Sequence, residues 1–406
     1  MDEDTSYLRR RKFLRRFVFP LFIVIFFVSL VELASFIHVK RRGYEPDPFA
    51  RNAHLYNQYR IHELNPRYRT SPGYGHSREG FRRDDPVSPE KGDGVFRIFL
   101  MGGSTTYGLG AFPPYELHPG LKNEEGIDRA IEDALNGMIE EKGISKRVEV
   151  INAAAVNYNT YQHLVYIMEK LYLYKPDMIV FLDGANDFYY FMRDYDHLED
   201  YWYSYAYVSD WLNERSWLFP AYACARVLAR YSYAFTLVEM RLEYSMNCRV
   251  SDEYKRNLDR CLTAADVKEQ YPAIAHNSFL RTYRLIQALS MHYDFGMFVF
   301  LQPYIPLEDS ALLGEADREN REITVRELKS ANWDPESFNE IRKTFPFLFA
   351  KYGIPFHDLG QIADETTGDS QLYIDYCHLA PAGAKRVGTL MAEMLAPLVL
   401  AEIKNR

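Results

Sequence analysis

Apolar residues from Val95 onward follow two alternating patterns. Short runs with the length of buried strands lie at 95–101, 148–151, 178–182 and 297–301. Between them, at 126–142 and 158–174, apolar positions recur every three to four residues, which is typical of a helix with one buried face. Strands that alternate with helices predict a parallel sheet covered on both faces, a three-layer α/β/α fold.

The pattern resumes towards the C-terminus after an insertion. Helices are predicted at 278–293, 335–351 and 382–403, a short strand at 355–359, and a polar acidic stretch at 308–327. The insertion, 188–273, is rich in tyrosine and tryptophan, including Trp202 and Trp211, and such rings suit sugar faces or a membrane interface. Because it starts directly after a strand, we expect it to form a helical lid or wall at the substrate site. The alternative is that its rings only pack against the main domain.

The N-terminus has a different pattern. Residues 17–39 are apolar except for four positions and, at about 1.5 Å per residue, span about 34 Å, enough to cross a bilayer core of about 30 Å. Six cations precede this transmembrane helix and three follow it, which favours a cytoplasmic segment 1–16 and a periplasmic or extracellular main domain. A cleaved signal peptide is the alternative, but no A-x-A-like site follows the span, so an uncleaved signal-anchor is predicted. The run 10–15 also bears a weak resemblance to a twin-arginine motif.

Residues 40–94 are rich in Arg, Pro, Gly and Tyr without a sustained period, which predicts a stalk and an irregular lead-in to a main domain at 95–403. After residue 42 the chain carries 39 Lys/Arg against 52 Asp/Glu, a formal net charge of −13. That charge argues against nucleic acid and anionic lipid as binding partners of the exported domain and favours a neutral one.

The cysteines argue against a metal site. No C-x-x-C spacing occurs among the four cysteines, Cys224, Cys248, Cys261 and Cys377, so no zinc site is predicted. A Cys248–Cys261 disulfide is compatible with an oxidising compartment.

Two nucleotide-binding motifs are absent from the sequence. No P-loop lysine follows Ser104, and no G-x-G-x-x-G follows the strands, so both nucleotide-binding interpretations fail. We therefore predict neither a cofactor nor a metal.

The candidate chemistry follows the strands. In an open parallel sheet, ligands bind where loops leave the carboxyl ends of the strands. Gly102-Gly103-Ser104 follows the first strand, Asn152-Ala153-Ala154 the second, and Asp183-Gly184-Ala185-Asn186-Asp187 the third. These three loops are expected on one rim of the sheet.

Ser104 is the predicted nucleophile, because a sharp Gly-Gly-Ser turn presents a hydroxyl at a strand end. Asp375 and His378, three residues apart on a predicted helical turn, are expected to meet through the imidazole Nδ1 and leave Nε2 for the serine. The backbone N–H groups of Ser104 and Ala154 and the side chain of Asn186 are candidate oxyanion donors. Singly each residue has an ordinary structural explanation, such as a helix cap for Asp375; the ordered set favours catalysis.

The four blocks GGST, NAAAVNY, DGAND and DYCHL, in this order between strands, resemble the SGNH/GDSL hydrolase family over about residues 75–400. The lead-in SREGFR at 77–82 and the LQP at 301–303 also look like its membrane-anchored bacterial members. The resemblance implies a flavodoxin-like fold and hydrolysis or transfer of acyl esters. It also implies that Ser104 is the nucleophile, Asn186 and the Ala154 amide are oxyanion donors, and His378 with Asp375 is the base pair.

Two positions depart from the family pattern. Gly103 stands where the family usually has aspartate, which bears on loop geometry, and Ala154 where it usually has glycine, which bears on the pocket and its donor.

The sequence thus predicts a membrane-anchored serine esterase acting on O-acyl, above all O-acetyl, esters of a polysaccharide or a lipid. An O-acyltransferase of the same fold and a catalytically silent carbohydrate-binding or scaffold protein are the alternatives. Retention of the complete proton-transfer set favours an enzyme over a binding protein, which has no need of one.

Overall fold

The computed structural model describes residues 14–42, 53–57, 59–71, 73–111, 115–187, 218–242, 245, 279–330, 339–340 and 342–405. The chain divides into two compact units. The first combines residues 1–52 with 210–253, and the second combines 53–209 with 254–406. The predicted insertion is therefore divided between the two units.

The first unit contains the apolar helix Phe19–Arg41, which we name the anchor helix after its predicted role and which follows a π-helical turn at Leu14–Val18. It is the one described helix long and apolar enough to cross a membrane, and its most apolar 18-residue window has a mean hydropathy of 2.4. Pro20 lies in its first turn, where the missing N–H leaves no hydrogen bond unmade. A helix at Leu218–Leu228 and a second at 233–242 complete the described part of this unit.

The second unit is built on a five-stranded sheet. Its strands are β5 (Val95–Gly102), β6 (Arg147–Asn152), β7 (Met178–Asp183), β8 (Gly296–Leu301) and β9 (Phe356–Asp358). They lie in the order β6-β5-β7-β8-β9, and every pair is parallel. Counted from β5 this is the flavodoxin-like order 2-1-3-4-5, so the predicted fold class is confirmed.

Alternate residues of the strands face two separate cores. Phe96, Ile98 and Leu100 of β5 pack with the helices Ile127–Glu141 and Pro381–Asn405. Phe99 and Met101 face the opposite side, which the helices Thr160–Glu169, Arg281–Tyr293 and Phe345–Lys351 cover. Burial on both sides explains why these strands are almost continuously apolar.

The segment expected to be a stalk and lead-in contains ordered structure from Ala53 on. Two hairpins form, β1 (His54–Asn57) with β2 (Ile61–Leu64) and β3 (Arg69–Ser71) with β4 (Tyr74–Gly75). Leu64, Phe81 and Val87 belong to the core on the side of helix Thr160–Glu169. Strands of two to four residues are too short to show a period, which is why the sequence pattern missed them.

Two further segments, one predicted as a helix and one as a polar acidic stretch, differ from the prediction. The helix predicted at 158–174 is a helix at Thr160–Glu169 followed by a 3-10 turn at Leu171–Tyr174, with non-helical Lys170 between them. The acidic stretch at 308–327 becomes the helix Glu315–Ser330. Its sequence is polar around most of its circumference, so hydrophobic periodicity gave no helical signal.

Candidate active site

Ser104 begins a four-residue helix, Ser104–Tyr107, directly after β5, and its side chain is almost fully buried. The two preceding glycines are required by close contacts. A β-carbon at Gly102 would lie 2.1 Å from the Thr106 hydroxyl, and one at Gly103 would lie 2.3 Å from the Asn186 amide nitrogen. The aspartate usual in the SGNH/GDSL family therefore cannot occupy position 103 here unless Asn186 moves.

Asp375 and His378 form the predicted pair. The imidazole Nδ1 lies 2.6 Å from Asp375 Oδ2, and both side chains are buried. The backbone N–H groups of Cys377 and His378 donate to Asp375 Oδ1 at 2.9 and 2.7 Å. Residues 374–377 form a bend rather than the expected helical turn, because the Asp375 side chain closes the loop with these two bonds.

The environment of Asp375 keeps it ionised. Burial raises the pKa of its carboxyl group, but the His378 charge, the His378 hydrogen bond and the two backbone donors outweigh burial, so the pKa is held below its usual value. An ionised Asp375 orients the ring and stabilises the imidazolium that forms when His378 takes a proton.

A hydrogen bond joins the helix of Ser104 to the loop of His378. The Thr105 hydroxyl donates to the Cys377 carbonyl at 3.2 Å. Thr105 follows Ser104 and Cys377 precedes His378, so this bond joins the direct neighbours of the two candidate catalytic residues. His378 Nε2 is buried and has no hydrogen-bond partner among the described residues, so the Ser104 hydroxyl does not donate to it in this structure. Catalytic hydrogen bonds are often long before substrate binds, and the unpartnered Nε2 is the atom that a general base needs.

The three candidate oxyanion donors lie on loops at the same edge of the sheet. Asn186, in a short helical turn after β7, donates from Nδ2 to the Tyr158 carbonyl at 2.8 Å, and its amide group has a second N–H. The Ala154 N–H donates to Asn152 Oδ1 at 3.1 Å, so this donor is shared with a neighbouring side chain. The backbone N–H of Ser104 lies in the first turn of its helix, where N–H groups have no intrahelical acceptor.

Sequence reasoning gave no role to two residues that hold these loops, Asn152 and Gln302. Asn152 donates to the Thr106 carbonyl at 2.9 Å and to Asp128 at 3.1 Å. Gln302 donates to the Thr105 hydroxyl at 2.9 Å. Asn152 and Gln302 each stand at or directly after a strand end, which is the sequence signal that marked the other site residues.

Asp375, Cys377 and His378 present metal-ligating atoms within 4.8 Å of one another. Their donor set does not favour a metal. Asp375 and the His378 Nδ1 are bonded to each other, and burial raises the pKa of the Cys377 thiol well above its ordinary value. A metal binds the thiolate form, which this environment disfavours.

A second set of buried polar side chains surrounds Asp183, at the end of β7 that precedes Asn186. His163 Nε2 lies 2.8 Å from Asp183 Oδ1, and the Tyr283 hydroxyl donates to Asp183 Oδ2 at 2.5 Å. Asp187 accepts from both the N–H and the hydroxyl of Thr160, while burial and the nearby Asp183 charge raise the pKa of its carboxyl group. These bonds fix the β7 end from which Asn186 extends.

Two predictions concern residues that the structure does not describe. Trp202 and Trp211, on which the lid hypothesis rests, lie outside the described residues, as do Cys248 and Cys261. Of the other cysteines, Cys224 is a free exposed thiol and Cys377 a free buried one.

The fold and these side chains define a flavodoxin-like α/β protein with a serine, an asparagine and an aspartate–histidine pair at its strand ends. Solved structures similar to this chain include three described as hydrolases of esters. The first is a lipase/acylhydrolase from Enterococcus faecalis, with 16% identity over 74% of this chain and 96% of that chain and a TM-score of 0.32. The second is the carbohydrate acetylesterase Est24 from Sinorhizobium meliloti (14%, 74% and 99%, TM-score 0.32). The third is a GDSL-like lipase from Bacteroides thetaiotaomicron (11%, 77% and 93%, TM-score 0.30).

No protein-family model matches the sequence, and no curated protein matches it. At such identities and TM-scores the solved structures carry no inference about activity, which has to come from the side chains of this chain.

Proposed function

We propose that this protein is a serine esterase of the SGNH/GDSL type that cleaves O-acyl esters through a covalent acyl-Ser104 intermediate. The observation that carries the proposal is the buried Asp375–His378 pair, whose free Nε2 belongs to a loop bonded to the helix of Ser104. An imidazole that a carboxylate holds at Nδ1 has its Nε2 available to act as a general base.

In the first half of the reaction, His378 Nε2 takes the proton of the Ser104 hydroxyl as the oxygen attacks the ester carbonyl carbon. The oxyanion of the tetrahedral intermediate accepts from the Ser104 N–H and from the Asn186 amide. The carbon–oxygen bond to the alcohol then breaks, and the imidazolium returns its proton to the departing alkoxide. Water, activated by the same imidazole, hydrolyses the acyl-serine and regenerates the free hydroxyl.

One tyrosine beside His378, with two further tyrosines packed around it, supports a sugar as the alcohol. The Tyr376 ring centre lies 5.8 Å from that of His378, 6.2 Å from Tyr304 and 6.5 Å from Tyr115, and all three side chains are only half-buried. Because His378 protonates the leaving alcohol, the alcohol lies next to it, and aromatic faces with hydroxyl groups suit a pyranose ring. We propose acetylated polysaccharide as the substrate class, with lipid esters second.

The anchor helix supports a single-pass membrane protein with its N-terminus in the cytoplasm and the esterase domain in the periplasm or outside the cell. The charge difference across the span is the basis for this orientation.

The test compares the full-length wild type in detergent with Ser104→Ala and with Ser310→Ala, an exposed serine, as matched control. The assay is release of 4-nitrophenol from its acetate ester, followed by acetate release from acetylated xylan and fatty-acid release from a triglyceride. Wild type and Ser310→Ala are expected to turn over both acetyl substrates, and folded Ser104→Ala neither.

Equal rates for wild type and Ser104→Ala would contradict the mechanism. No turnover by any folded variant would favour a binding protein, whereas acyl transfer from the activated ester to a sugar hydroxyl, without hydrolysis, would identify an acyltransferase.

A further inference from the structure

Glu32, the carboxylate within the apolar anchor helix, has a defined set of partners. Its side chain accepts from the Ser232 hydroxyl at 2.7 Å, from the Ala234 N–H at 3.2 Å and from the Tyr233 N–H. One turn further along the anchor helix, the Phe36 ring packs edge-on against Tyr233 with ring centres 5.1 Å apart. Anionic side chains inside a membrane span almost always pair with protein groups.

These partners form the beginning of the helix at 233–242. The first N–H groups of a helix lack intrahelical acceptors and carry the positive end of the helix dipole, so a carboxylate there is stabilised. Glu32 therefore caps this helix from another part of the chain.

The turn at 229–232, between the helices Leu218–Leu228 and 233–242, directs its polar groups inward. The N–H groups of Ala229 and Tyr231 donate to carbonyls of the preceding helix at 2.8 and 2.9 Å. The Ser232 hydroxyl accepts from the Phe235 N–H, and the Ser232 carbonyl accepts from the Thr236 N–H. Backbone N–H and C=O groups that enter a bilayer need hydrogen-bond partners within the protein, and these bonds supply such partners.

The outer face of the same helices is apolar and exposed, whereas Tyr222, Ala225 and Ala229 face inward and are buried. On the first helix the exposed positions fall three to four residues apart, on one face. Among the described side chains of the two helices and their turn, the exposed apolar ones are Ala223, Cys224, Val227, Leu228, Tyr231, Phe235 and Val238, and the exposed charged ones are Arg230 and Arg241.

We infer that the helices Leu218–Leu228 and 233–242 form a re-entrant hairpin that enters the outer leaflet beside the anchor helix, with Glu32 as its docking point. The inference rests on the proposed membrane anchoring. Glu32 lies seven residues before Val39, about 10 Å along the helix, so its partners at the turn lie at a similar depth. Only 6% of the most apolar 18-residue window of the anchor helix is buried. The exposed face of the hairpin then continues the apolar surface of this helix, and lipid acyl chains cover both surfaces.

Arg230, exposed at the turn, limits how deep the hairpin sits. A long cationic side chain extends towards the headgroups from a shallow position, but pays a large cost near the bilayer centre. The hairpin thus occupies only the outer leaflet and does not cross the membrane.

The test uses the full chain in lipid vesicles with Cys248 and Cys261 replaced by serine and a maleimide fluorophore on Cys224; Cys377 is buried. Lipids brominated on their acyl chains are the quencher. The control adds Cys224→Ser and Tyr59→Cys, since Tyr59 is 57% exposed in the other compact unit. Several-fold stronger quenching at position 224 than at position 59 is expected.

Glu32→Ala should reduce the quenching at position 224 to the level of the control, while Glu32→Gln, which keeps an acceptor oxygen, should retain part of it. Quenching of the Cys224 label by aqueous iodide, equal to that at position 59 and without quenching by lipid, would overturn the hairpin. Resistance of the chain to extraction from membranes at alkaline pH is scored separately. Extraction would contradict the anchor itself, whereas a retained but unquenched protein would contradict only the hairpin.

Discussion

Gly103 has no space for a side chain while Asn186 keeps its present position. Asn186 Nδ2 occupies the volume that a β-carbon at position 103 would need. The glycine at position 103, where the family that the sequence resembles usually has aspartate, is thus coupled to the placement of the proposed oxyanion donor.

Gly103→Ala should therefore lower kcat by about 100- to 1000-fold, the usual effect of losing one oxyanion donor. Gly137→Ala is the matched control, because a β-carbon at Gly137 meets nothing within 4 Å in the helix Ile127–Glu141. That variant should keep wild-type kcat and gain about 0.5–1 kcal/mol of stability. If Gly103→Ala kept the wild-type kcat, catalysis would not depend on the present position of the Asn186 side chain.

His62 makes the stability of the β1–β2 hairpin depend on pH. Burial, together with the nearby Arg60 charge, lowers the pKa of His62 to about 4, although its Nε2 lies 2.8 Å from the Val156 carbonyl. Its neighbour His54 has a pKa lowered well below the ordinary value, by burial first and then by His62 and His76. Both imidazoles are neutral in the folded protein and take up protons on unfolding.

The unfolded chain binds more protons than the folded one between about pH 6.5, the unfolded pKa, and about pH 4, so the free energy of unfolding falls as the pH is lowered through this window. His62→Gln keeps an N–H donor for Val156 but cannot titrate. Urea unfolding at several pH values measures the free energy of unfolding. Across the window this free energy should change less in His62→Gln than in wild type, and the two changes should differ by at most about 3 kcal/mol. Equal slopes would mean that His62 is protonated or exposed in the folded state.

At the scale of elements, the helix Ser104–Tyr107 acts as the junction of the site. The Thr106 hydroxyl donates to the Leu182 carbonyl at the end of β7, and Thr105 bonds Gln302 after β8 and the loop of His378. Three segments distant in sequence are thereby held against one short helix. Preorganisation of this kind is what fixes a nucleophile, its base and its oxyanion donors.

The last helix, Pro381–Asn405, crosses the helix Ile127–Glu141 at a point where only glycine fits. A β-carbon at Gly388 would lie 2.4 Å from the Ala130 β-carbon and 2.9 Å from the Ile127 carbonyl. Gly388→Val should lower the free energy of unfolding by about 1–3 kcal/mol or more, because overpacking displaces one helix. Chemical denaturation measures this, with Glu393→Val, exposed on the same helix, as control. Equal small losses in both variants would show that the crossing tolerates a wider separation.

For the molecule as a whole, the anchor helix predicts that one chain has parts on two sides of a membrane. Protease added to spheroplasts should degrade the region after residue 42 and leave an N-terminal epitope tag protected, because the excess of cations before the span favours a cytoplasmic N-terminus. A cytosolic protein that remains intact is the control for membrane integrity. A mature chain that begins after about residue 39 would instead identify a cleaved signal peptide.

The sequence alone determined the three-layer fold and the edge of the sheet that carries the chemistry. Parallel strands buried on both faces must be apolar, and helices that cover them must be amphipathic, so both periods are written in the chain. The Asp375–His378 contact could also be predicted from the sequence, because its partners are three residues apart. The hairpins at 54–75 could not be predicted, since their strands are too short to show a period.

Tertiary structure decided the contacts between residues far apart in the chain. The steric reason for Gly103 lies 83 residues away in Asn186, and the bonds of Thr105 reach 197 and 272 residues along the chain, to Gln302 and Cys377. The partners of Glu32 lie 200 residues or more away, at the start of a helix in the insertion. No local pattern encodes such pairs, because the sequence records which groups need a partner, whereas only the folded backbone determines which partner comes within reach.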